Sequence, residues 1–314
     1  MATGPALPLL PEPLSLRDLS DPLLVDPGTR LLRAVVETYR EAAPTLVDPT
    51  VADLASVEST EGEEILPAGD LPTLKVLAGE SAVDAATAGF RSASRLAALL
   101  DAGAVDLRVL DAPQPNSILA SDETGFALIE DESDGAPASD SDSADADDAT
   151  DRDRRWHRAG DDASLRGRYA PRLANAGPYH LRTPSRRRVY DGFASRCDEA
   201  VAAAVLRALD ASADPNAAGT VGPTPEETRI RAYAVGAREA VLDRTLRRAC
   251  EDAELGSPST FTRIKRLLRE AGLIDTEPEP QPVGRPRTRL VARGALASAE
   301  TPEETVTAVI DVAD

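Results

Sequence analysis

The stretch Ser257–Ile274, SPSTFTRIKRLLREAGLI, decides how the rest of the chain is read. Ser257 is a good helix cap, Pro258 suits a first helical turn because its φ is preset, and Gly272 marks the far end. On a helical wheel Phe261, Ile264, Leu268 and Ala271 fall within one narrow arc, which predicts the core face. The opposite arc carries Ser259, Thr262, Arg263, Arg266 and Glu270, with Arg269 at its edge. Hydroxyls near the N-terminus and arginines further along suit contact with phosphates and base edges, and Arg can pair bidentately with guanine. Taken alone, the same arc is equally well an ordinary solvated helix face.

The segments on either side of this helix favour DNA. LIDTEPEPQPVGRPRTRLVARG (273–294) reads as a short strand, a Pro-rich turn and a second strand from Gly284. There Arg285, Arg287 and Arg289 alternate with Pro286, Thr288 and Leu290, so a period of two puts the three arginines on one face. Pro286, with no N–H to donate, suits an edge strand. Upstream, 225–253 reads as two helices, PEETRIRAYAVG and AREAVLDRTLRRACEDA, and a break comes at Leu255-Gly256. Helix, turn, helix and an arginine-faced hairpin form the layout of a winged helix-turn-helix over 225–296. Residues 257–293 hold 8 basic and 4 acidic residues in a chain of net charge −19. The predicted partner is double-stranded DNA, met by Ser259, Thr262, Arg263, Arg266, Arg269, Arg285, Arg287 and Arg289.

The front of the chain has a different pattern. TRLLRAVVETYREA (29–42) and SAVDAATAGFRSASRLAALLDAG (81–103) read as helices, with VADLASV (51–57) a further short helix. TLVDP, TLKVLA, DLRVLD, SILAS and GFALIE read as strands. The fold class expected is therefore an α/β N-terminal domain, a mixed or parallel sheet with helices, plus the C-terminal winged helix-turn-helix. The limits expected are a disordered tail over 1–20, the α/β sensor-like domain over 21–130 and a disordered acidic insertion over 131–153. A helical completion and connecting helix occupy 154–209, a linker 210–224 and a C-terminal tail 297–314. Thr183 is the expected cap of one long helix over 184–209, whose apolar row Val189, Phe193, Cys197, Val201, Val205 and Leu209 serves either a homodimer or packing within the chain.

Composition narrows the function. Residues 1–150 carry 8 Lys+Arg against 29 Asp+Glu and residues 151–314 carry 27 against 25, so a nucleic-acid surface is confined to the back of the chain. Only Lys75 and Lys265 are lysines, which together with heavy Asp and Ala usage points to a protein of a salt-loving prokaryote. Cys197 and Cys250 form no CxxC or Cys/His spacing and read as small buried hydrophobes in a reducing cytoplasm. The first residues lack a basic signal-peptide region, and no apolar run is long enough to span a membrane. GxGxxG, Walker A, GxSxG and HExxH motifs are missing, and His157 and His180, the only histidines, read as surface groups. Asp106, Asp111 and Asp122 lie near predicted strand ends, where an α/β site places polar groups, but carboxylates are abundant throughout. No enzyme, cofactor or metal is expected.

The run SPSTFTRIKRLLREAGLIDTEPEPQPVGRPRTRL, with PTLKVLA, DLRVLD and YHLRTPSRRRVYDGF, resembles the haloarchaeal TbsP transcriptional regulators. The resemblance covers about residues 25–293 apart from the acidic insertion. It implies an N-terminal α/β domain, a helical connection, a C-terminal winged helix and a regulator of glucose and gluconeogenic genes acting alongside a sugar-responsive regulator. The family supplies no catalytic residues to carry over. The alternative function is an α/β metabolite- or protein-binding module whose winged helix mediates protein contacts.

Overall fold

The computed structural model describes residues 6–7, 14–56, 72–130, 154–211, 222–280 and 287–312. Its helices in chain order begin with α1 Thr29–Ala42, α2 Pro44–Val47, α3 Val51–Ser56, α4 Glu80–Ala86, α5 Phe90–Asp101 and α6 Ser164–Asn175. They continue with α7 Arg186–Arg196, α8 Glu199–Asp210, α9 Pro225–Arg238, α10 Asp243–Asp252, α11 Pro258–Glu270, α12 Gly294–Ser298 and α13 Pro302–Val309. The main strands are β1 Leu23–Val25, β2 Leu74–Ala78, β3 Val105–Val109, β4 Ile118–Ala120, β5 Gly125–Glu130, β6 Arg154–Gly160, β7 Ile274–Glu279 and β8 Arg287–Ala292. Two compact units result: one from residues up to 42, 66–86 and 102–179, the other from 43–65, 87–101 and 180 onward.

The first unit is built on a six-stranded mixed sheet of order β3-β2-β1-β4-β5-β6. β1, β2 and β3 run parallel, while β4, β5 and β6 form an antiparallel meander joined to β1. β1 carries no strand signal in the sequence: it is three residues long and wholly buried, too short to show a period. Such central strands read as plain apolar runs. β6 gives no signal either, because Trp156 is its one large apolar residue. α6, disguised by Pro171 within it, buries Tyr169 and Leu173 against Leu23, Val25, Leu77, Ile118 and Ala120. Segment 177–179 guards the β3 edge, with Val109 N donating to Gly177 O and Tyr179 N to Leu107 O. Of the strand-end carboxylates, Asp106 pairs with Arg108 and Asp122 lies 3.6 Å from Arg166. The expected N-terminal tail is partly outside the described residues, yet Leu16 and Leu19 within it are buried. The acidic insertion lies outside them.

The second unit has one continuous core running through α7, α8, α9, α10, α11, β8, α12 and α13. Several expectations are corrected here. The single helix expected over 184–209 is two helices, broken at Cys197-Asp198, where Asp198 accepts from Val201 N at 2.8 Å and starts α8. Ser185 rather than Thr183 caps α7, accepting from Arg188 N. Val189, Phe193, Val201, Val205 and Leu209 are all buried in this core, so the apolar row is spent within the chain. TLVDP is not a strand: Pro44 starts the one-turn helix α2. The helix expected over 81–103 is α4 and α5, interrupted at 87–89 ahead of Phe90. The helix expected from Ala237 begins at Asp243, because Ala240 takes a left-handed φ of 52° and turns the chain. Residues 297–314, expected to be a tail, contain α13, with a Thr301/Glu304 capping box and with Thr305, Val306 and Val309 buried.

Buried Arg186 ties this unit together. It pairs with Asp210, lies 3.4 Å from Asp48 and donates to Pro49 O at 3.0 Å, and Asp48 also holds Arg95. Cys250 is fully buried, and Cys197 packs against the same core with its thiol pushed up to about 11, chiefly by burial. Neither thiol is poised to react.

Candidate nucleic-acid interface

α11 forms as its sequence dictates. Ser257 Oγ accepts from Thr260 N, Pro258 fills the first position, and Gly272 takes φ +71° to close the helix, with Leu273 N donating back to Leu268 O. Phe261, Ile264 and Leu268 are fully buried, and Phe261 stacks on Tyr233 of α9 with ring centroids 5.9 Å apart. Burial of each contributes about 1.5–3 kcal/mol. Ala271 departs from the predicted arc: it caps the C-terminus and is exposed, one step past the last packed turn.

Before α11, α10 and a short turn complete the helix-turn-helix; after it, β7 and β8 pair antiparallel from Ile274↔Ala292 to Glu279↔Arg287. A third strand contact is made by Leu242, which bridges Arg289 while Leu290 N donates to Val241 O. Helix, bridging residue, two helices and a hairpin make this a winged helix. Thr224 and Glu227 form the capping box that starts its first helix, α9.

Two domain models match the sequence: TbsP-like transcriptional regulator, N-terminal, over residues 23–167, and its C-terminal HTH domain over residues 185–310. The chain belongs to the TbsP-like transcriptional regulators. No curated protein and no solved structure matches it. Among the described residues no helix is long and apolar enough to cross a membrane.

In this TbsP-like chain the candidate residues part company. Ser259, Thr262, Arg266 and Arg269 share one exposed stripe of α11. At 1.5 Å per residue the stripe is about 15 Å long, and a helix about 10–12 Å across matches a major groove about 12 Å wide. Thr262 Oγ1 donates to Pro258 O at 2.9 Å, which leaves its lone pairs free to accept. Ser259 Oγ lies 2.8 Å from Ser257 Oγ. Arg266 is 69% exposed and only loosely paired with Glu270 at 3.8 Å, and the Arg269 guanidinium carries no hydrogen bond or ion pair among the described residues.

Arg263 is drawn off the stripe by Glu226 of α9, to which it donates at 2.6 and 2.8 Å. The three wing arginines do not act alike either. Arg285 lies outside the described residues. Arg287 is exposed at the start of β8, and among the described residues it has no acidic partner. Arg289 is instead held in place, donating to Ala240 O at 3.1 Å and Glu279 at 2.8 Å. Strand alternation cannot reveal this, because both acceptors are set by the third strand contact and the hairpin register. Helical periodicity likewise gives no hint of the part played by Lys265, whose partner Asp243 lies on another helix. His157 and His180 are exposed.

Proposed function

We propose that this regulator reads double-stranded DNA in a sequence-specific manner, with α11 in the major groove. Ser259, Thr262, Arg266 and Arg269 are the base-edge and phosphate contacts in this reading, and Arg287 holds the backbone beside the wing. The observation that carries it is the division of α11 into a fully buried apolar stripe and an exposed stripe whose two arginines are free or loosely held among the described residues. Arg263 joins the interface by exchanging Glu226 for a phosphate.

The finer assignment rests on the resemblance to the haloarchaeal regulators: control of glucose and gluconeogenic genes, alongside a sugar-responsive regulator, in a halophilic archaeon. The dearth of lysine and the acidic front support the salt-loving cytoplasm. Counterion release weakens in molar salt, so affinity there leans on base contacts and shape rather than on phosphate pairing. A homodimer, the usual state for helix-turn-helix proteins reading two half-sites, would use a surface other than the buried row of α7 and α8.

Chromatin immunoprecipitation of the tagged protein, from cells grown with and without glucose, tests the reading. Discrete promoter peaks that share a motif and change with sugar are expected. A lack of peaks in both conditions would transfer the winged helix to protein contacts.

A further inference from the structure

The arginines of α10 have no place in the interface formed by α11 and the wing. Arg244, Arg247 and Arg248 line a groove of about 530 Å³ between the first turns of α10 and the start of β8, where Arg287 closes it. Four arginines there face one carboxylate, Asp243, which already receives the Tyr233 hydroxyl and Lys265. The guanidinium groups of Arg244, Arg248 and Arg287 carry no hydrogen bond or ion pair among the described residues. Arg247 reaches Asp243 at 3.1 Å through one nitrogen, while its Nε is buried with no acceptor among the described residues. In a chain with 54 carboxylate side chains, a groove that collects unpaired guanidinium groups lacks an anion. Thr245 adds a hydroxyl, and the free N–H groups of the first turn of α10 add positive potential.

Its position indicates which anion. Asp243 holds Lys265 of α11, and Arg269 lies one helical turn beyond Lys265 on the same flank of that helix. Through Asp243 the groove is linked to the flank of α11 that carries Arg269, and its other wall is Arg287 and Thr288 at the loop end of β8.

We propose that this groove seats the phosphodiester backbone of one DNA strand as it passes from α11 to the wing, with Arg244, Arg248 and Arg287 as the phosphate contacts and Arg247 as a fixed donor behind them. The site rests on the DNA-binding reading of α11. It differs from that reading in kind: it contributes affinity on any sequence, whereas the α11 stripe discriminates between sequences.

The test uses the full chain, a promoter duplex recovered by immunoprecipitation and a scrambled duplex of equal length. Binding is measured from low to high salt for wild type, the triple variant Arg244→Gln/Arg248→Gln/Arg287→Gln, and Arg266→Ala. None of the three substituted guanidinium groups holds a partner among the described residues, and an unchanged melting temperature verifies the fold. The triple variant is expected to lose affinity by the same factor on both duplexes, at least about tenfold at low salt, with a slope of log K against log salt shallower by about 2–3. Arg266→Ala is expected to lose affinity mainly on the promoter duplex. If wild type binds and the triple variant matches it in affinity and slope, the groove assignment fails while the α11 reading stands. If wild type binds neither duplex, the DNA reading fails and takes the groove with it. Tripolyphosphate that raises the melting temperature of wild type but displaces no DNA would make this a site for free phosphate and overturn the backbone assignment.

Discussion

Lys265 Nζ on α11 lies 3.1 Å from Oδ2 of Asp243, the first residue of α10. The same carboxylate accepts from the Tyr233 hydroxyl at 2.6 Å and from Arg247 at 3.1 Å, and it is almost wholly buried. One side chain thereby fixes α9, α10 and α11 together, which sets the angle of the α11 stripe against the other two helices.

Asp243→Ala should accordingly destabilise the second unit by about 3–5 kcal/mol, since it strands a buried hydroxyl and two cations. Lys265→Met should cost much less, because Asp243 keeps Tyr233 and Arg247. Urea unfolding of the two variants measures the difference, and equal losses would deny Asp243 its central place.

In the proposed complex Glu226 competes with DNA for Arg263. Glu226→Gln should tighten binding by about 0.2–1 kcal/mol, the range of an exposed ion pair, with the gain shrinking as salt rises. Arg266→Ala should cost about 1–3 kcal/mol on a matched operator and less on a scrambled one. Fluorescence anisotropy on both duplexes reads these out. Equal proportional losses on the two DNAs would remove Arg266 as a base reader.

Gly192 sits where α7 touches the end of α10. A Cβ there would come within 2.6 Å of Ala253 N and 2.9 Å of its Cα, and backbone atoms cannot step aside as a flexible side chain does. Gly192→Ala should lower stability by about 1–3 kcal/mol from overpacking, outweighing the gain of about 1 kcal/mol in helix propensity. A melting temperature at or above wild type would show that the two helices separate freely.

Asp21 gives the first unit an acid-sensitive tie. Burial disfavours its ionisation, but the hydrogen bonds from Lys75 and Arg166 outweigh that and hold its carboxyl below the usual range. A depressed folded-state pKa contributes stability that is present above the unfolded value of about 3.9 and lost as pH falls through the folded value. Asp21→Asn should therefore be less stable than wild type at pH 7 and should lose less of its stability between pH 7 and pH 3. Parallel melting curves at both pH values would contradict this.

The sequence by itself determined the elements whose signals are local. Ser257, Pro258, the Phe261/Ile264/Leu268 spacing and Gly272 wrote α11 in steps of three and four, and the alternation of Arg287, Thr288, Arg289 and Leu290 wrote the start of β8. Only the tertiary structure decided what each charged side chain does. The acceptor of Arg263 lies 37 positions away and that of Arg289 at Ala240 lies 49 away, distances over which no periodicity carries information. The same limit hid β1, whose three residues are a strand because β2 and β4 flank them, and divided the helix over 184–209, where an Asp198 cap interrupts an apolar row that continues unbroken. Spacing fixes the faces of elements, whereas packing and ion pairing between distant segments determine which of those faces remain free to bind.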